Sequence, residues 1–400
     1  MILRLAKWLA ILVVAAPVVG SAALLATGNG FFFTALARTY LAGEPTANVN
    51  DHRVFATRTI ASGAAQPWPE HERFVGDALT PALLSSLETQ SGFAFLVATD
   101  GKLFAEHYRL GYAADSQTNS FSMAKTVVTL LLGIAIDEGY IDSVDQPLIE
   151  FLPEFADDPF GREATVGSLS TMTSGYDWDE HYYSPFSPTV ELYYSNDVTR
   201  FVLGRGFSDE PEERFYYSSA STELLAIVIT RALKRENPDA TLSDYLSEKL
   251  WQPLGMNADA LWHTDDSGME LGYCCINTNA RNFLRLGQLM LQRGRWNDRQ
   301  LVPAAFIDLM ITPNGRPSYG YSTHLSVDQD PSFYAFRGHL GQYVVVVPEH
   351  DLVLARLGEQ HDRSGNTMSE VLPFYVAEAL AMVRAESAQP VDKSSVAPSP

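Results

Sequence analysis

The stretch Ser122-Met123-Ala124-Lys125 opens a long apolar run that continues without proline to Gly139. Such a run predicts a buried helix over residues 122–139. Residues three apart are neighbours on one helix face, so the Ser122 hydroxyl and the Lys125 amine are expected side by side. A serine becomes a good nucleophile when a base takes its proton, and a buried lysine with a lowered pKa is such a base. The stretch therefore indicates an acylating enzyme, although a lone S-x-x-K match also occurs on ordinary solvated helices.

The hydrophobic pattern on either side of this helix predicts a chain of mixed α and β structure. Two strand-like stretches, residues 93–98 and 103–108, flank a short turn. This pattern predicts a β-hairpin in the first part of the chain. Residues 343–347 and 352–357 predict a second, apolar hairpin near the end. A last helix is predicted over 367–384, and the intervening helices over 219–233, 241–249 and 279–292. This order predicts an α/β (α+β) fold: an antiparallel sheet built from both chain ends and flanked by helices, with an inserted, mainly helical region.

The composition is that of a chain with a large core and an acidic surface. Of the 400 residues, 46% are hydrophobic and 19% are charged, which is enough for one large domain or two. The formal net charge is −20, whereas nucleic-acid-binding proteins carry a basic surface. The composition argues against nucleic acid as a partner, and the acidity is interpreted as an aid to solubility.

The N-terminus contains an apolar segment behind two basic residues, Arg4 and Lys7. Residues 8–26 carry no charge and number about 19, close to the roughly 20 that span a bilayer. Basic flanks stay in the cytoplasm, which would place the rest of the chain outside. We therefore expect residues 1–30 to anchor a bacterial envelope protein in the membrane, with its catalytic domain in the periplasm or outside. Ala35-Leu36-Ala37 keeps a cleaved signal, and hence secretion, as the alternative.

The rest of the chain is divided by composition. Residues 31–75 are mixed and polar, and are interpreted as a linker and lead-in. Residues 76–385 form the predicted catalytic domain. Residues 386–400 are rich in proline and serine without apolar period, and predict a disordered tail.

The two cysteines are adjacent, Cys274-Cys275. Adjacent cysteines cannot connect distant segments, so no disulfide framework is expected. They are interpreted as two small, partly buried side chains, with a vicinal disulfide as the less common alternative.

Tyr217 comes just before a predicted helix that begins at Ser218 or Ser219, either of which could cap it. A tyrosine at a loop–helix junction can point into a cleft. If it shares its proton with a lysine, it can act as a general acid or base. A buried core tyrosine is the alternative, and by itself the commoner one.

A glycine-flanked histidine precedes the strand predicted at 343–347. Glycines beside a strand, such as Gly341, let a ligand approach the backbone closely. The Gln342 amide could then face a substrate oxygen together with the Ser122 amide at its helix N-terminus. His339 alone would be an ordinary turn histidine.

Three motifs follow one another along the chain: S-x-x-K, a tyrosine at a helix start, and H-x-G before a strand. With these motifs in this order, the sequence resembles the serine β-lactamase and penicillin-binding superfamily. Within this superfamily, the sequence resembles the class C β-lactamases and related esterases, and more closely still the 6-aminohexanoate-dimer hydrolases. It covers roughly residues 75–385 and implies a β-lactamase/transpeptidase-like fold. Its supporting stretches are 120–125, 133–139, 169–175 with 177–179, 250–256, 279–282 and 285–287.

The resemblance also implies roles for individual residues. Ser122 would be the acylated nucleophile and Lys125 the base that takes its proton. Tyr217 would relay that proton to the leaving group and later activate water. His339 would stand where other members carry lysine or histidine, and the amides of Ser122 and Gln342 would form the oxyanion hole.

Two departures from the family pattern bear on the substrate. Ser219 stands where many members have asparagine, so substrate orientation should differ. His339 replaces a lysine and is mostly neutral at pH 7, which leaves the carboxylate of a β-lactam without a fixed cation. The sequence therefore favours a serine esterase or amidase acting on a small-molecule ester, amide or peptide. The alternatives are a D-alanyl peptidase or weak β-lactamase, and a non-catalytic envelope binding protein.

An aromatic run at residues 176–194 is the expected location of substrate specificity. Aromatic residues with polar tips suit a partly wet cleft wall or lid, although a surface loop packed on itself is equally compatible. Its acidic members and one histidine, namely Asp177, Asp179, Glu180 and His181, match no familiar metal-ligand spacing. No metal and no other cofactor is predicted.

Overall fold

The computed structural model describes residues 2–44, 46–182, 184–360 and 368–387, which alternate between helices and strands. The helices are α1 (Ile2–Ala26), α2 (Phe31–Arg38), α3 (Pro81–Thr89), α4 (Met123–Asp137), α5 (Val166–Thr171), α6 (Pro188–Tyr194), α7 (Val198–Leu203), α8 (Ser219–Lys234), α9 (Leu242–Leu246), α10 (Ala280–Leu291), α11 (Ala304–Met310) and α12 (Met368–Ser387). The strands are β1 (Thr57–Ile60), β2 (Gly92–Thr99), β3 (Lys102–Tyr108), β4 (Thr118–Asn119), β5 (Ala260–His263), β6 (Ile276–Thr278), β7 (Arg295–Trp296), β8 (Arg299–Gln300), β9 (His324–Ser326), β10 (Phe333–Gly338), β11 (Gln342–Val347) and β12 (Leu352–Gly358).

The main sheet has six antiparallel strands in the order β3-β2-β12-β11-β10-β9. The N-terminal hairpin β2–β3 pairs with the C-terminal strand β12, where Leu96 lies opposite Ala355. The predicted fold class, a sheet built from both chain ends, is therefore confirmed.

The continuous apolar run of β11 follows from burial on both faces of this sheet. Successive side chains of a strand point to opposite faces. Val344 and Val346 belong to the large core that includes α4, α8 and α10. Val345 and Val347 belong to the second core, which is formed with α3 and α12. Helices thus cover both faces.

A smaller sheet, β1-β5-β6-β4, holds the loop that leads into α4. The Ser120 amide donates to the Ile276 carbonyl at 2.8 Å, and the Ile276 amide donates back to Ser120 Oγ at 3.0 Å. The reciprocal bonds fix this loop against β6. Helix α8 packs on α4, and its N-cap is Ser218, whose side chain accepts from the Ser221 amide.

The interpretation of residues 31–75 as a linker is wrong. Strand β1 pairs with β5, with Ile60 opposite Ala260, and Ile60 is fully buried. Helix α2 packs on α6. Part of its apolar residues, among them Phe31, Val49, Phe55 and Ile60, are buried in the domain.

The two chain ends differ in how far the structure describes them. The apolar N-terminal segment is helical as α1, and α12 continues to Ser387, past the predicted start of the tail. Residues 388–400 of that tail lie outside the described residues.

In the described part of the chain no single helix meets the length and hydropathy expected of a membrane span. The bent pair Ala15–Ala26 and Phe31–Ala42, at 119°, meets them together.

Candidate active site

Ser122 lies at the N-terminus of α4, directly after a strained turn. Phe121 has φ of 43°, in the left-handed region that side chains avoid, and its amide donates to Asn119 Oδ1 at 2.8 Å. A Cβ at Gly338 would collide with the Ser120 carbonyl, so the end of β10 lies against this turn. The Ser122 amide is at a helix N-terminus, where backbone N–H groups have no intrahelical acceptor. It is thus placed to donate to a substrate oxygen.

Lys125 is buried beneath Ser122 with three oxygen partners. Its Nζ lies 3.1 Å from Ser122 Oγ, 3.0 Å from Ser219 Oγ and 2.9 Å from the Tyr273 carbonyl. A neutral amine has two N–H donors and one lone pair. The Tyr273 carbonyl can only accept, so it takes one N–H. If Ser219 takes the other, the lone pair is directed at Ser122 Oγ, within the reach required of a general base.

Burial sets the protonation of this amine. It lowers the pKa of Lys125 from 10.5 to about 8, and the carboxylates of Glu180 and Glu223 oppose the shift. At neutral pH about a tenth of the lysine is therefore the free base.

The activity is expected to follow this pKa. The active form is the neutral amine, so kcat/KM for an ester should rise with pH to a plateau, with a midpoint near pH 8. Initial rates over about pH 6–10, with spontaneous hydrolysis subtracted, measure it. A profile that is flat or falling over this range contradicts a lysine base.

Tyr217 is the second group on the nucleophile. Its hydroxyl is hydrogen-bonded to the Ser122 side chain, and burial and Glu180 raise its pKa well above the ordinary value. Lys125 Nζ lies 5.2 Å from its ring centroid. Tyr217 is therefore a neutral phenol, suited to donate a proton rather than to act as a phenolate base.

Ser219 connects Lys125 to a carboxylate that sequence reasoning did not assign to the site. Ser219 Oγ donates to Glu180 Oε1 at 2.6 Å, and its amide donates to Oε2 at 2.8 Å. Trp178 Nε1 and the Tyr182 hydroxyl also donate to Glu180, each at 2.5 Å. Because Ser219 donates its proton to Glu180, its lone pairs accept from Lys125. The signal for it in the sequence is an acidic residue inside an aromatic run.

Glu180→Gln is expected to move the pH profile. Loss of the negative charge removes an interaction that raises the Lys125 pKa, so the midpoint of kcat/KM should shift to lower pH. Asp179→Asn is the matched control, because it removes a carboxylate from the same loop at an exposed position. A drop in rate with an unchanged midpoint would mean that Glu180 only supports the fold.

His339 lies on the 3₁₀ turn His339–Gly341 after β10. Its ring stacks on Tyr182 with centroids 5.3 Å apart and meets Phe121 edge-on at 5.5 Å. It lines the same cavity as Ser122 and Ser219.

Gly341 and Gln342 do not match the predicted oxyanion role. The Gln342 amide donates to the His339 carbonyl in the turn, and its side chain bonds to both Gly358 backbone groups. Gly341 is required because a Cβ there would meet the Arg356 guanidinium, which donates to the Gly341 carbonyl at 2.7 Å. A buried guanidinium needs such carbonyl partners. These two residues therefore support β12.

The adjacent cysteines are joined by a disulfide, Cys274–Cys275, so the less common alternative is the one found. The pair directly follows Tyr273, whose carbonyl holds Lys125. Cys274 lines the cavity, and Cys275 has φ of 76°.

The cavity in front of Ser122 has a volume of about 560 Å³ and a mainly apolar wall, a size typical of small-molecule sites. The aromatic run contributes part of this wall through Tyr182, Tyr193 and Tyr194. Other members of the run, Tyr176 and Trp178, are buried in the core. Tyr183 lies outside the described residues.

A metal site is not evident in the described part of the chain, where no group of three or more His, Cys, Asp or Glu side chains converges. Glu180 is instead saturated with hydrogen-bond donors.

Comparison with known proteins agrees with this geometry. The family model described as Beta-lactamase matches residues 82–370. The chain belongs to the beta-lactamase family. Within it, the chain is 28% identical over 250 residues to the 6-aminohexanoate-dimer hydrolase of Paenarthrobacter ureafaciens. That match covers 59% of this chain and 61% of the hydrolase, so the chain spans about three fifths of this relative's length.

Solved structures show the same beta-lactamase-family fold. A Bacillus anthracis protein proposed to be a 6-aminohexanoate-dimer hydrolase superposes with a TM-score of 0.70 at 20% identity, covering 82% of this chain and 92% of that one. A family VIII carboxylesterase superposes with a TM-score of 0.56 at 15% identity, covering 76% of this chain and 98% of that one. At these identities the likeness establishes the fold.

Proposed function

We propose that this protein is a serine hydrolase that cleaves an ester or amide bond through an acyl-enzyme on Ser122. The observation that carries the proposal is the position of Lys125, with Nζ 3.1 Å from Ser122 Oγ and bonds to Ser219 Oγ and the Tyr273 carbonyl. A lysine held only for stability would be expected to pair with a carboxylate, since buried charges are usually paired.

The reaction begins when neutral Lys125 takes the Ser122 proton as Oγ attacks the substrate carbonyl. The Ser122 amide donates to the developing oxyanion. Tyr217 gives its proton to the leaving alcohol or amine and regains one from Lys125. The C–O or C–N bond then breaks and leaves the ester on Ser122. Water attacks this ester, passes a proton through Tyr217 and Lys125 back to Ser122, and releases the acid.

The charges around the cavity bear on the acyl half of the substrate. The described residues that line the cavity include no lysine or arginine. An acyl group that carries a carboxylate would therefore lose its hydration there without gaining a cation. The names of the relatives, a 6-aminohexanoate-dimer hydrolase and a carboxylesterase, support the hydrolysis of amides or esters.

The proposal is tested by covalent labelling. A fluorophosphonate should form one adduct, mapped by peptide mass spectrometry to Ser122, and the labelled protein should lose its activity on p-nitrophenyl esters. Labelling should slow as the pH falls below about 8, where Lys125 becomes protonated. An adduct on another serine, or no adduct, would contradict the proposal.

The location in the cell is proposed from the sequence alone. Arg4 and Lys7, which precede the uncharged stretch of helix α1, support a membrane anchor at residues 1–30 with the catalytic domain outside the cytoplasm. The full chain should then need detergent for release from membranes. Release by a salt or carbonate wash would contradict the anchor.

A further inference from the structure

The cavity in front of Ser122 is built partly by residues that precede the family-matched domain. The match begins at residue 82, but helix α2 and the segment after it form one wall of the cavity. The contributing residues are Phe32, Ala35, Leu36, Thr39, Tyr40, Thr46 and Ala47. The pocket of this chain is therefore closed by a segment that is not part of the matched domain.

Helix α2 is attached to the domain by several independent contacts. Phe31 is buried with Phe55 and Tyr194, and the Phe32 ring meets Phe186 edge-on at 5.2 Å. The Arg38 guanidinium lies 4.3 Å above the Phe55 ring. These contacts make α2 a fixed wall of the site.

The chemistry of the cavity is that of an apolar binding site. Its described lining holds no Lys, Arg, Asp or Glu side chain. At its mouth Leu36 and Tyr40 are 47% and 69% exposed. Exposed apolar residues that continue into a cavity mark a surface for an apolar ligand.

The position of Tyr217 decides which half of the substrate this cavity would hold. Tyr217 protonates the leaving group in the proposed reaction. It packs beside Tyr319 and His324, with ring centroids 6.3 and 6.2 Å away, and is not among the lining residues of the cavity. The leaving group therefore departs on the Tyr217 side, and the acyl group occupies the cavity.

We propose that α2 and the domain together form an acyl-chain site, so that the substrates are esters or amides of uncharged, medium-length aliphatic acids. This inference rests on the proposed acyl-enzyme on Ser122 and adds the substrate class. Each methylene that enters the site removes apolar surface from water, which is worth up to about fourfold in kcat/KM.

The test compares p-nitrophenyl acetate, butyrate and octanoate, and the corresponding p-nitroanilides. We expect kcat/KM for the octanoyl substrate to exceed that for the acetyl substrate by at least about tenfold. Octyl acetate carries the long chain in its alcohol half, and ethyl octanoate carries it in its acyl half. Relative to ethyl acetate, kcat/KM should rise far less for octyl acetate than for ethyl octanoate. Equal rates for acetyl and octanoyl substrates would overturn the acyl-chain site, and a preference for octyl acetate would overturn the assignment to the acyl half.

Matched variants on α2 locate the site. Ala35 lines the cavity, whereas Ala37 on the same helix is exposed and does not. Ala35→Phe should lower the ratio of kcat/KM for octanoate to kcat/KM for acetate about tenfold, while Ala37→Phe should leave that ratio unchanged. A thermal melt of each variant checks that it is folded. An octanoate preference that survives Ala35→Phe would overturn the role of α2, and absence of all hydrolysis and of a Ser122 adduct would instead refute the proposed function.

Discussion

Ser122→Ala is expected to abolish ester and amide hydrolysis, with a fall in kcat of about 10⁴-fold or more. The substitution removes the only atom that forms the acyl-enzyme and leaves Lys125 with two of its three oxygen partners, Ser219 and the Tyr273 carbonyl. The lost hydroxyl is small, so the free energy of unfolding should change by about 1 kcal/mol or less. Hydrolysis of p-nitrophenyl esters, followed beside a thermal melt, measures both quantities.

Ser116→Ala is the control for this experiment, because Ser116 lies in a surface loop and bonds to the Ala113 amide. It should keep full activity. If Ser122→Ala retains more than about a tenth of the activity, the measured hydrolysis comes from another group, and Ser122 is not the nucleophile.

Lys125→Ala is expected to lower the acylation rate by about 10²–10⁴-fold, which is the usual contribution of a general base. The effect should fall on kcat and on the rate of fluorophosphonate labelling. Small primary amines added to the solution should restore part of the rate, because the alanine leaves space where the amine stood. The pH midpoint near 8 should disappear from the profile.

Lys125→Arg tests whether residue 125 acts as a general base or only supplies a positive charge. An arginine keeps a cation near Ser122 but remains protonated in proteins, so it cannot take the proton. The variant should be about as inactive as Lys125→Ala. Full activity in Lys125→Arg would show that the position supplies charge only. A thermal melt of both variants checks that the loss is not a loss of folding.

The hydrophobic pattern was sufficient to predict four strands of the main sheet, β2, β3, β11 and β12, and the long helices, whereas β9 and β10 were not predicted. Residues 343–347 are apolar without interruption because β11 is covered on both faces, and residues 122–139 are apolar because α4 is buried. These signals are local, because a buried position carries an apolar residue, which the sequence shows without knowledge of the packing partners. The S-x-x-K spacing likewise placed Ser122 beside Lys125, because both lie on one turn of a helix.

Residues 31–75 were misassigned because their structural role depends on distant partners. Strand β1 has only four residues and gains its stability from β5, some 200 positions later. Helix α2 is amphipathic in isolation, and the cavity that it closes exists only when α6 and α4 are in place. The local pattern does not show which distant elements the segment packs against.

The sequence by itself determined the fold class and the pairing of Ser122 with Lys125, because both depend on periodicity within single elements. The tertiary structure alone decided the rest of the site: Glu180 fixes the Ser219 hydroxyl, the Tyr273 carbonyl holds the lysine, and the Gln342 amide is used within its own turn. The physical reason is that hydrogen bonds between residues far apart in the chain depend on distances of about 3 Å, which only the packing of several elements can set.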